Sequence, residues 1–219
     1  MTRIKKKGGK NMKKLNFFLI LIVCLINQVT NSYSLLEFNK ISHSIEKKID
    51  FVENSVKVQY KSKNDNEVLN NLINKIKENY KESLIDIEDD CINIVDKNKK
   101  ITVETFLYSD CRDIKIEIVN YDKNRSIIKL MKELNKLLDK KDYEIKYYSY
   151  IKGKTNNINE ADSIVNEDLN LKSIQTLEIH KGKVGTGFLY CGEKISFAIN
   201  EYDTGSYLII GTPIINTTY

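Results

Sequence analysis

Short segments in which apolar and polar residues alternate recur through most of the chain, and they constrain its fold more than any other feature. A period of two places every second side chain on one face of a β-strand, so each segment predicts a strand with one buried face. The predicted strands are residues 56–60, 92–95, 101–107, 114–118, 143–151, 174–181, 184–190, 194–201 and 206–215. The short connections between consecutive strands favour antiparallel pairing.

Apolar residues at spacings of three and four interrupt this pattern and predict helices. The clearest are the stripes over residues 68–80 and 127–138, and weaker ones cover 35–49 and 158–169. The elements then read β-α-β-β-β-α followed by β-α-β-β-β-β, which suggests a duplication. Helices with one apolar stripe must cover a sheet face. The sequence therefore predicts an α+β fold in which duplicated β-α-β halves form an antiparallel sheet with helices on one face.

Residues 1–34 have the three parts of a secretory signal. Met12-Lys13-Lys14 is basic, Leu15–Ile26 is a largely apolar run of twelve residues, and Ser32 and Ser34 have the spacing of a small-residue cleavage site. We expect cleavage after Ser34, or after Ser32 as the second choice. An uncleaved membrane anchor is the alternative, although the run is short for a span. Met12 is an alternative start of translation.

The net charge of +5 comes from that leader, which holds seven basic residues and no acidic ones. The rest of the chain carries 28 basic and 30 acidic side chains, a net charge of −2. Because nucleic-acid binding depends on lysine and arginine at phosphates, this balance argues against a nucleic-acid partner. We expect one extracytoplasmic domain over residues 35–219, with halves at about 35–141 and 142–219, that meets a membrane only through an uncleaved leader.

Cys91, Cys111 and Cys191 remain once the leader is removed, an odd number. Export permits disulfides, and a Cys91–Cys111 bridge is one hypothesis. A hairpin turn near residues 97–100 would place Cys91 opposite about residue 106, however, so free and half-buried thiols are favoured. The chain has no C-x-x-C motif, the spacing typical of redox pairs and zinc knuckles.

The last predicted hairpin is the most distinctive segment. Leu208-Ile209-Ile210 is apolar on both faces, which predicts a strand deep in the sheet, and Gly205 can adopt the positive φ of its turn. Pro213 cannot donate to a ladder, so it should mark the end of that strand or an edge-facing position.

Lys194–Asp203 followed by Tyr207–Ile215 resembles the closing hairpin of the YwmB family, a group of exported proteins from Gram-positive bacteria. The run Gly211-Thr212-Pro213-Ile214-Ile215, with Tyr219 at the terminus, is the most specific piece. The resemblance implies a curved sheet similar to the TATA-box-binding-protein fold and a location in the cell envelope. It implies no catalytic or binding residue, and a shared fold does not define a function.

The candidate ligand-binding residues are Lys146, Tyr148, Tyr150 and Lys152. Alternation puts Tyr148 and Tyr150 on one face of their strand and Tyr143 and Tyr147 on the other. If the latter pair enters the core, the former pair lies on the open face of the sheet beside the two lysines. Rings and cations there could stack on sugars, peptides or bases. The alternative is the ordinary preference of tyrosine for strands.

The remaining motifs favour structural roles. Only two histidines are present, His43 and His180, and Glu88-Asp89-Asp90 lacks the spacing of a calcium loop. Gly185-Thr186-Gly187 continues as a strand instead of opening a helix, so close packing explains its glycines better than phosphate binding does. The sequence therefore predicts no catalytic residue, no metal site and no cofactor.

These observations favour a non-enzymatic binding module of the cell envelope whose partner is an unknown protein, a peptide or a cell-wall polymer. Nucleic-acid binding through the sheet is one alternative. A hydrolase whose carboxylates converge only in the folded chain is another, and a deep pocket containing two acids would favour it.

Overall fold

The computed structural model describes residues 36–63, 66–88, 90–139 and 143–215. Internal contacts divide the chain into two units, Met1–Phe38 and Asn39–Tyr219. Of the first unit only residues 36–38 are described, and they are helical. The predicted signal and its cleavage sites, with the terminal Tyr219, lie outside the described residues. The fold that follows is that of the second unit.

Ten strands form one sheet in which every neighbouring pair is antiparallel. They are β1 (Asp50–Lys63), β2 (Leu84–Glu88), β3 (Cys91–Asp96), β4 (Lys99–Leu107), β5 (Cys111–Asn120), β6 (Tyr143–Thr155), β7 (Lys172–Ile179), β8 (Gly182–Phe188), β9 (Lys194–Tyr202) and β10 (Gly205–Thr212). Their order across the sheet is β2-β3-β4-β5-β1-β6-β10-β9-β8-β7. The two middle positions therefore belong to β1 and β6.

The described helices are α1 (residues 36–45), α2 (Asn66–Asn79), α3 (Ile127–Asn135) and α4 (Ile158–Ser163), which continues as a π-helical turn over Ile164–Asp168. Asn157 caps α4 by accepting a hydrogen bond from the Glu160 backbone N–H at 2.9 Å. The Glu160 carboxylate accepts in turn from the Asn156 N–H at 2.7 Å, which completes a reciprocal cap. None of the described helices has the length and apolar character needed to cross a membrane.

The predicted fold class is wrong. Strands account for 51% of the described residues and helices for 25%, so the molecule is mainly a ten-stranded antiparallel sheet and not a balanced α+β fold with a helical layer on one face. The physical reason is that β1 and β6 pair with each other from Asp50↔Lys154 to Lys61↔Tyr143, which joins all the strands into one sheet. Backbone pairing and strand alternation, not helix packing, therefore organise most of the chain.

Alternation divides the sheet into two faces. The buried apolar face includes Val56, Val58, Ile101, Val103, Ile114, Ile116, Ile118, Phe197, Ile199, Leu208 and Ile210. We call the opposite side the polar face; at the centre it carries Glu53, Ser55, Lys57 and Gln59 of β1, Lys115 and Glu117 of β5, and Lys146, Tyr148, Tyr150 and Lys152 of β6. Helix α3 lies against β1 and β5 and buries its own Ile127, Leu130, Met131 and Leu134.

The sequence predicted individual strands more accurately than it predicted the fold class. Strand β10 lies between β6 and β9, as its two apolar faces predict. Gly205 has a φ of 122° in the turn before it, and Pro213 follows the last residue of the strand. Strand β2 is the one described strand that the sequence analysis did not predict; its alternating run, Ile85-Asp86-Ile87-Glu88, is short.

Candidate functional site

The four predicted ligand-binding residues do share the polar face. The antiparallel register places Lys146 opposite Gln59, Tyr148 opposite Lys57, Tyr150 opposite Ser55 and Lys152 opposite Glu53. Lys146 is exposed, whereas Tyr148 and Lys152 are half-buried. The four residues therefore lie on one face of the sheet, but their side chains differ in how accessible they are to a ligand.

Tyr150 is enclosed by the protein itself, since only 5% of its surface is exposed. It packs with Ala198, Ile209 and the half-buried Ile215 of the segment that follows β10. Its hydroxyl donates a hydrogen bond to Glu53 Oε1 at 2.9 Å. Burial raises the pKa of Tyr150, and the Glu53 carboxylate raises it further. Tyr150 acts here as a packed and hydrogen-bonded side chain, and a surface ligand would not reach its ring.

Alternation put Tyr143 on the same face as Tyr147, and this is wrong. Tyr143 pairs with Lys61 and is exposed, because a register irregularity separates this pair from the regular ladder that ends at Gln59. The next residue, Glu144, has a φ of 51°, a left-handed conformation that breaks strand alternation. Tyr147, beyond the irregularity, pairs with the buried Val58 as expected.

A second group of side chains extends the polar face, and the sequence reading did not include most of it. We call Tyr202, Tyr207, Lys152 and Lys154 the Tyr207 cluster. The ammonium groups of Lys152 and Lys154 lie 5.5 and 5.4 Å from the centre of the Tyr207 ring, within cation–π range. The Tyr202 ring meets the Tyr207 ring edge-on, with 5.5 Å between centres.

The hydroxyl of Tyr207 is polarised by its surroundings. It shares a 3.1 Å hydrogen bond with the Thr204 hydroxyl, which lowers the pKa of Tyr207, and the nearby Lys154 and Lys152 lower it further. The sequence carried a usable signal: Lys154 follows Lys152 at the same-face spacing, and the predicted β9–β10 hairpin brings Tyr202 and Tyr207 together.

Three lysines of β1 and β5 on the polar face have acidic partners. Lys57 lies 3.9 Å from Glu117, Lys115 lies 3.7 Å from Glu104, and Lys61 lies 2.7 Å from Glu144. In the described part of the chain no carboxylate lies within ion-pair distance of Lys146, Lys152 or Lys154. Strand β6 therefore carries three lysines without a described acidic partner on this face.

A cavity of about 420 Å³ lies towards the other end of the sheet. Its lining residues are Gln175, Thr176, Leu177, Val184, Gly185, Thr186, Ser196, Phe197, Ile214 and Ile215, all of them uncharged. The two converging acids that would favour a hydrolase are not part of this lining. Among the described residues no group of three or more histidines, cysteines and acids could hold a metal ion.

The other sequence motifs have structural explanations. A Cβ at Gly185 would overlap the Phe197 ring, so this glycine permits close packing as predicted. The three described cysteines are free, and Cys91 pairs in register with Glu104, two residues from the expected position. His43 and His180 are exposed on separate elements.

No family model matches the chain, and no curated protein matches it. Its function must therefore be argued from the polar face itself.

Proposed function

We propose that the chain is a non-enzymatic binding protein of the bacterial cell envelope that holds an anionic ligand on the Tyr207 cluster. The observation that carries this proposal is the position of Lys152 and Lys154 over one tyrosine ring, with no carboxylate in the described chain to neutralise them. The predicted leader and the YwmB-like C-terminal segment support the envelope location.

The geometry favours an anion with an apolar surface. Lys152 and Lys154 point to the same face two residues apart, about 7 Å along the strand. Two cations at this spacing repel each other, and a phosphate or carboxylate between them would relieve that repulsion. The Tyr202 ring is partly exposed beside them and offers a surface for the carbon skeleton of the ligand. A phosphate-bearing wall polymer combines both properties.

The β6 strip also favours a polymer over a small ion. Lys146 and Tyr148 lie on the same face of the strand as Lys152 and Lys154. Lys154 lies eight positions after Lys146, which corresponds to roughly 26 Å of strand. A chain with repeated negative charges could contact both ends, whereas a single anion could occupy only one.

The test is a binding titration of the purified chain with poly(glycerol phosphate), with uncharged dextran as the ligand control. We expect saturable binding that weakens with added salt, and at least a tenfold loss of affinity in Lys152→Ala/Lys154→Ala. Lys115→Ala is the matched control, since this lysine shares the face but has Glu104 as its partner. Equal affinity in the double variant and the control would refute the proposal, as would equal binding of dextran.

A further inference from the structure

Among the described residues, the two outermost strands of the sheet, β2 and β7, each pair on one side only. No described strand occupies their outer N–H and C=O groups, which can pair with a strand of another molecule. All eight residues of β7 are exposed, and so are four of the five in β2. Neither strand contains proline, the residue that most directly blocks pairing at an edge.

Both edges also expose leucine. Leu84 of β2 is 78% exposed and Leu177 of β7 is 65% exposed. An unpaired backbone edge next to exposed apolar side chains is the surface on which strand addition occurs. The occupant that completes such an edge must itself be an extended strand.

We propose that β2 of one molecule pairs with β7 of another, so that copies of this chain join head to tail through a continuous sheet. Ten antiparallel strands give edges that run in opposite directions. A second copy placed beside β7 with its polar face on the same side therefore presents β2 antiparallel to β7. This surface is independent of the Tyr207 cluster.

The side chains of the two edges match in that arrangement. Leu84 and Glu88 lie on the polar face through their pairs with Val95 and Cys91. Leu177 and Lys172 lie on the same face through their pairs with Val184 and Phe188. Setting Leu84 opposite Leu177 brings Glu88 opposite Lys172, because β7 carries one extra residue between Lys172 and Gln175. An apolar pair and an opposite-charge pair then form together.

The extra residue does not prevent this pairing. The irregularity at Ser173, whose φ is 52°, is already accommodated by β8 on the inner side of β7. Strand β2 would follow the same register as residues 184–188 of β8. The Lys172 ammonium lies 3.9 Å from the centre of the Tyr190 ring. This cation–π contact positions the ammonium at the N-terminal end of β7. The acidic pair Asp86 and Glu88 of β2 complements it.

Two edge variants of the full-length chain test the proposal by light scattering or sedimentation. Leu84→Lys disables the β2 edge and Leu177→Lys disables the β7 edge, since an inserted lysine opposes edge pairing. Both side chains are exposed, so the folded state and its circular dichroism should persist. Leu107→Lys is the control, because Leu107 is similarly exposed, at 58%, but lies on an inner strand.

We expect the mass of the native chain and of Leu107→Lys to grow with concentration beyond two chains. Each edge variant should remain at the 25.5 kDa of a single chain. An equimolar mixture of the two edge variants should stop at dimers, because one intact β2 and one intact β7 remain. A native chain that is monomeric at every concentration overturns the proposal. So does dimerisation of Leu84→Lys alone, which would show β7 pairing with itself, or assembly of both variants as in the native chain.

Discussion

At the residue scale, Glu133 of α3 has three polar partners from different parts of the described chain. Its Oε1 accepts hydrogen bonds from the Lys99 ammonium at 2.6 Å and the Tyr80 hydroxyl at 2.8 Å. Its Oε2 lies 2.9 Å from the Arg125 guanidinium. Lys99 is only 7% exposed, so its charge depends on Glu133 and on Asp96 at 2.9 Å. One carboxylate of α3 thus connects the residue that follows α2, the first residue of β4 and the segment before α3.

We predict that Glu133→Ala lowers the free energy of unfolding by about 3–5 kcal/mol, because it leaves the buried Lys99 with half of its compensation. Urea denaturation followed by circular dichroism measures this loss. Glu104→Ala is the control; it removes a half-exposed partner of Lys115 and should change stability by less than about 1 kcal/mol. Similar losses in the two variants would contradict this account of Glu133.

Glu117 and Glu46 give the stability a defined dependence on pH. Burial raises the pKa of both carboxyl groups above 4.5 in the folded chain. Between the unfolded and the folded pKa the folded state therefore binds more protons, so its stability falls as pH rises through that interval. Asp96 has the opposite sign, since the hydrogen bond from Lys99 lowers its pKa, and its contribution is lost in acid.

We therefore predict that the free energy of unfolding increases as pH is lowered from 7 towards 4.5. Glu117→Gln and Glu46→Gln should each reduce this increase, and the double variant should reduce it most. Urea titrations at a series of pH values measure the slopes. Slopes that match the native chain in both single variants would show that these carboxyl groups are not the source.

At the scale of elements, β10 should contribute strongly to the stability of the sheet. Leu208 and Ile210 are fully buried on the apolar face, and Ile209 is buried on the opposite side. The strand has a partner on each side. Removing it would leave β6 and β9 each with an unpaired edge inside the sheet.

We predict that Ile210→Ala lowers the free energy of unfolding by about 2–5 kcal/mol, through lost burial and the cavity left behind. Ile214→Ala, at a position that is 44% exposed just beyond the strand, should cost less than about 1 kcal/mol. Thermal and urea unfolding of both variants provide the measurement. A native melting temperature for Ile210→Ala would mean that β10 is dispensable.

The elements also show what sequence patterns can and cannot predict. Long alternating runs such as β5 were readable, because every second residue from Arg112 to Asn120 is buried. Strand β2 was missed although Ile85-Asp86-Ile87-Glu88 alternates, because four residues are too short a run to distinguish a strand from a polar turn. Tyr143 was misplaced for a different reason: the left-handed backbone at Glu144 changes the face, and no side-chain pattern reports that conformation.

At the scale of the molecule, the sequence predicted local elements better than their association. The pairing of β1 with β6 depends on residues nearly a hundred positions apart, such as Ser55 and Tyr150. A local sequence pattern contains no information about a contact between residues so far apart in the chain. The β1–β6 pair is nevertheless the one that joins the two groups of strands into a single sheet. The candidate site shows the same division: the shared face of Tyr148 and Lys152 follows from alternation, whereas the enclosure of Tyr150 by Ile215 requires the tertiary structure.

The position of β1 has a consequence for the route by which the chain folds. Six of the nine pairs between described strands join consecutive strands and can form as local hairpins. The pairs β1–β5, β1–β6 and β6–β10 must wait for closure of long loops, which is slow. The first described strand is thus among the last of them to be paired on both sides. Until then the apolar side chains Val56 and Val58 are exposed to solvent, and both edges of β1 are unpaired. The segment that ends at the middle of the sheet is therefore the one most exposed to mispairing and aggregation during folding.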